Sequence, residues 1–110
     1  MSEVFALEKQ LADVKEQVAL RDTALKLYGN PEFKTLILDR FCVQECARYA
    51  HSSADPALTV DQRADSLAMA QAAGHLRRFL SITVQMGNHA ERQIADLEDT
   101  IEEVRQEEGL

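Results

Sequence analysis

The 110-residue chain has no tryptophan, two prolines, four glycines and an aromatic fraction of only 5%. So little aromatic bulk argues against a deep ligand pocket, and so few helix breakers leave regular structure few places to stop. The two cysteines, Cys42 and Cys46, stand four apart, which fits a reduced compartment better than a disulfide framework. Long hydrophobic runs are missing too. No stretch approaches the roughly 20 apolar residues that a membrane-spanning helix needs, and no N-terminal run resembles a secretion signal. The expectation is a protein made in the cytoplasm, without a membrane-spanning segment.

Basic clusters are equally scarce. The formal charge is −7 and the only adjacent basic pair is Arg77-Arg78. Proteins that grip phosphate backbones do so with clustered Lys and Arg, so direct nucleic-acid binding is not expected. The charge is also uneven: residues 89–110 hold eight acids against two bases, six of the seven net negative charges.

What the chain does have is an apolar fraction of 45% drawn mainly from Ala, Leu, Val and Ile, the composition of helices packed side by side. One small domain spanning 1–110 is expected, and the fold class is all-α. Val4, Leu7, Leu11, Val14, Val18, Leu25 and Tyr28 alternate by three and four residues, interrupted once by Arg21. That is a heptad seam on a helix over about 2–28, and it can pack within the chain or between chains with equal ease. Gly29-Asn30-Pro31 then ends this helix and starts another: Gly suits a left-handed residue after a helix, Asn a cap, and Pro the first helical position. The second helix is predicted over 31–51, with Phe33, Leu36, Ile37, Phe41, Val43, Cys46, Ala47, Tyr49 and Ala50 covering more than half its circumference. So apolar a helix calls for cover on two sides.

Residues 51–58 read as a loop, and Thr59-Val60-Asp61-Gln62 as a capping box. A third helix is predicted over 60–107, with Gly87-Asn88 as the place for a bend. Its first half offers Ala64, Leu67, Ala68, Ala72, Leu76, Phe79 and Thr83 to the second helix. Its second half continues with Ile94, Leu97, Ile101 and Val104 as a narrow seam within the most acidic stretch. At 1.5 Å per residue this helix is on the order of 70 Å long, against roughly 30 Å for the second. The C-terminal seam therefore needs cover from the first helix or from a neighbouring subunit. The picture is a helical hairpin with extended coiled-coil-like arms: a heptad helix at 1–29, a hairpin core at 30–88 and an acidic arm at 89–110.

Residues that could carry chemistry are few. Cys42 and Cys46, with His51 nearby, could hold a metal, but among Phe41, Val43 and Ala47 they fit small core residues better. His75 and His89 lie fourteen positions apart on one helix, some 20 Å, too far to share an ion. The carboxylates from Asp96 to Glu108 lie on a helix expected to be solvated, without the burial that would drive their acidities apart. No phosphate loop, nucleophile elbow or dinucleotide fingerprint is present. No catalytic residue, cofactor or metal is assigned, and no enzyme activity is expected.

Three runs resemble a family of small helical proteins of tailed bacteriophages. They are Asn30-Pro31-Glu32-Phe33-Lys34-Thr35-Leu36-Ile37-Leu38 with the Ser52-to-Ala57 loop, Gly74-His75-Leu76-Arg77-Arg78-Phe79, and Val84-Gln85-Met86-Gly87-Asn88. The resemblance covers about residues 30–95 and leaves out the heptad helix. It implies a structural or assembly role. With the heptad seams, the expectation is a homo-oligomer that contacts a capsid, portal, tail or ejection component and is made in the host cytoplasm, with the virion as a second location open to it. Val4, Leu7, Leu11, Val14 and Val18 would form one protein contact, and Ile94, Leu97, Ile101 and Val104 the other. The alternative is a small acidic regulator or inhibitor that occupies a basic surface of a host protein.

Overall fold

The computed structural model describes residues 3–109. Its elements are α1 (Glu3–Tyr28), α2 (Pro31–Phe33), a π-helical stretch (Lys34–Glu45), α3 (Cys46–Ser53) and α4 (Val60–Glu107). From Pro31 to Ser53 the chain is continuously helical, two residues beyond the predicted end. The fold is all-α, and no strand occurs among the described residues.

The breaks follow local chemistry. Asn30 is extended at φ −84° and ψ 118°, and its side chain accepts hydrogen bonds from the backbone N–H groups of Glu32 and Phe33, at 2.8 and 3.1 Å, with Pro31 opening the helix. Gly29 does not take the left-handed conformation foreseen for it. The turn closes instead through the Asn30 N–H donating to Leu27 O at 3.0 Å, and Gly109, just past α4, is the glycine at positive φ among the described residues. The capping box forms as read: Thr59 N–H donates to Gln62 Oε1 at 3.0 Å and Gln62 N–H to Thr59 Oγ1 at 3.1 Å. Arg63 ties the preceding loop down by donating to the carbonyls of Asp55 and Leu58. Once capped, α4 runs unbroken through Gly74 and Gly87, with no helical interruption at Gly87-Asn88.

Two compact units result, one of residues 1–25 with 82–110 and the other of residues 26–81. This grouping differs from the three-part division read from the sequence, because the acidic C-terminal stretch packs with α1. In the first unit α1 and α4 are antiparallel. Glu8 pairs with Arg105 while Arg21 pairs with Glu91, so numbers rise on one helix as they fall on the other.

In the second unit, helical segment 31–53 packs on the first part of α4. Cys42 is buried, and the Cys46 thiol donates to the Ala70 carbonyl at 3.5 Å. The α4 residues turned inward here are Ser66, Ala70, Ala73, Leu76 and Leu80. The expected stripe of Ala64, Leu67, Ala68, Ala72 and Phe79 is exposed instead. Small side chains at 66, 70 and 73 admit the neighbouring helix closely, and apolar bulk at 67 and 79 does not. The second helix is likewise covered less than expected, since Leu36 and Val43 remain 64% and 55% exposed.

Candidate functional site: the helix-packing faces

The two predicted contact seams meet each other. Val4, Ile101 and Val104 form one buried cluster, with Leu7 and Leu11 packed against it. Val14 is buried on the same stripe of α1, while Val18, Ile94 and Leu97 are half-buried. Of the two covers left open for the C-terminal seam, the first helix is the one that lies on it: α1 runs along the second half of α4. Burying a large apolar side chain is worth roughly 1.5–3 kcal/mol, and here that gain is realised within one molecule.

Arg21 interrupts the seam, and the structure gives it a place. The residue is only 8% exposed and its side chain lies over Gly87. A Cβ at residue 87 would collide with Arg21 Cβ and lie 2.8 Å from its Cγ. Glycine at 87 is thus a requirement of close approach, where the sequence suggested a bend. The guanidinium then reaches across: Nη1 donates to Asn88 Oδ1 at 2.9 Å and to Glu91 Oε2 at 2.8 Å, and Nε donates to Asp22 Oδ1 at 3.1 Å. The hydrogen bond from Arg21, helped by its charge, holds the Glu91 carboxyl below its ordinary range, and the same bond raises the Arg21 pKa. Glu91 is 61% exposed, so the pair contributes modestly to stability. Its main effect is to fix which residues lie opposite one another.

The second unit presents different chemistry. Val60 is 71% exposed and Leu67 48% exposed. Glu45 accepts from Arg48 at 2.6 Å and pairs with Arg40 at 3.3 Å; the Arg48 bond chiefly holds its carboxyl below the usual range. Burial pushes the Cys42 thiol above its ordinary pKa, opposed in part by Arg77, which makes it a poorer nucleophile. Pro31, Glu32, Thr35, Leu36 and Arg40 line an open, mainly apolar groove. Among the described residues, no three His, Cys, Asp or Glu side chains are grouped to hold a metal ion, and no helix is long and apolar enough to cross a membrane. What these faces offer is helix packing, with ion pairs setting register.

No protein family, curated protein or solved structure matches the chain. The apolar stripes of α1 and α4 and the interruption at Arg21 are legible in the sequence as packing faces; the Arg21–Gly87 fit is not. The signal was there in two rule-breaking residues, a charge inside a heptad seam and a glycine inside a long helix.

Proposed function

We propose that this chain is a non-enzymatic, self-associating helical protein of a tailed-bacteriophage virion or its assembly. It acts by helix–helix packing with copies of itself and with a capsid, portal, tail or ejection component. The phage setting rests on the resemblance of the runs at 30–38, 74–79 and 84–88. Self-association rests on one observation: Leu36, Val43, Val60 and Leu67 stay about half exposed or more in the unit of residues 26–81, whereas Val4, Leu7, Leu11, Ile101 and Val104 already pack on one another within the chain. Exposed apolar groups on a small chain favour burial against a partner. The same unit holds seven bases and six acids, so bringing two such surfaces together meets little repulsion.

Light scattering tests self-association. A mass that is a multiple of 12.3 kDa and persists in high salt supports it, and a monomer at all concentrations refutes it. Finding the protein in purified particles, as opposed to infected-cell cytosol alone, tests the virion role. A second reading, an acidic competitor for a basic host surface, draws on the thirteen acids against five bases in residues 1–25 and 82–110. It requires a complex that is lost as salt rises.

A further inference from the structure

Among the described residues nothing packs where a side chain at Gly74 would begin. A Cβ added there would meet nothing within 4 Å, in contrast to Gly87. Glycine in a helix interior costs on the order of 1 kcal/mol relative to alanine. At Gly87 that cost is offset by Arg21; at Gly74 nothing described in the molecule offsets it. Val60 and Leu67 precede Gly74 at successive seven-residue steps, and Ala64, Gln71 and Arg78 follow these three by four each. All six are exposed. They make a second heptad-spaced stripe on α4, turned away from Ala73 and Leu80.

We infer that this Val60–Leu67–Gly74 face of α4 binds the same face of a second copy, antiparallel, about a two-fold axis near residue 69. This rests on the self-association proposed above and names its surface and geometry. Two small residues, Ala64 and Gly74, then lie opposite each other twice, which lets the helix axes approach. Leu67 packs against Gln71, and the Arg78 stem covers Val60. Charge selects the direction. Asp61 stands at the start of the stripe and Arg78 at its end, so antiparallel pairing brings acid to base at both ends, whereas parallel pairing brings like to like. A basic partner or a nucleic acid has no reason to choose this stripe, whose charges, Asp61 at one end and Arg78 at the other, offset each other.

Sedimentation equilibrium on the full chain tests this with Leu67→Asp, Gly74→Leu, Asp61→Arg, Arg78→Asp and the Asp61→Arg/Arg78→Asp double variant. The expected result is a wild-type mass that is a multiple of 12.3 kDa, a loss of at least half that mass in Leu67→Asp and Gly74→Leu at unchanged helix content, and restoration in the double variant of the mass lost in each charge variant. If Leu67→Asp loses helix content, Gly74→Leu decides, because leucine enters open space within the chain. Wild-type mass in both packing variants overturns this face and leaves self-association standing. Failure of the double variant to restore the mass overturns the antiparallel register. A wild type of 12.3 kDa at every concentration overturns the face and the self-association beneath it.

Discussion

Two glycines in one helix respond oppositely to the same change. Gly74→Ala raises the stability of the isolated chain by roughly 1 kcal/mol, because helix propensity improves and nothing obstructs the methyl group. Gly87→Ala lowers it by roughly 1–3 kcal/mol, since the obstruction is Arg21 Cβ, held close to the backbone of α1. Urea midpoints at concentrations where the protein is monomeric read both. The Arg21–Glu91 pair adds a pH dependence with a definite sign. The folded pKa of Glu91 is depressed, so its contribution is present above the unfolded carboxylate range and is lost as pH falls through the folded value. Protection of α1 amides, measured relative to their intrinsic exchange rates, should therefore fall in acid, and Glu91→Gln should remove that part of the dependence while leaving α1 less protected at neutral pH.

The helices were legible because their ends are marked by side chains with few alternatives. Asn30-Pro31 and Thr59 with Gln62 fix two starts, and each cap has a testable value: Asn30→Ala and Thr59→Ala should each cost about 1 kcal/mol in thermal or urea unfolding. The inward face of α4 was half legible. Over 94–104 the large residues Ile94, Leu97, Ile101 and Val104 are also the inward ones, so hydrophobicity pointed the right way. Over 64–80 it pointed to Leu67 and Phe79, because the inward positions Ser66, Ala70 and Ala73 are small and carry little hydrophobic signal. Close packing selects size as well as polarity, and a sequence pattern scored on polarity alone turns this part of the helix the wrong way.

For the whole molecule, the consequence is that substitutions in the seams and on the outer face report different things. Leu11→Asp and Ile101→Asp disrupt the α1–α4 pairing inside the chain. They should lower unfolding stability by at least about 2–3 kcal/mol, as loss of buried aliphatic side chains does. Leu67→Asp should leave monomer stability within about 0.5 kcal/mol of wild type, as surface changes do. A loss of mass in the seam variants without a loss of stability would instead place those seams between chains. Charge divides the same way. Residues 26–81 are close to neutral, and the remainder holds eight more acids than bases. High salt should therefore weaken any complex made through the acidic remainder while leaving contacts through the neutral part intact.

The fit of Arg21 over Gly87 carries an evolutionary corollary. In any set of relatives, positions 21 and 87 should change in concert: a bulkier side chain replacing the glycine would be tolerated where the arginine had given way to glycine. Such a signature would also mark, in chains too divergent to align by eye, which ones fold their first helix back onto their last.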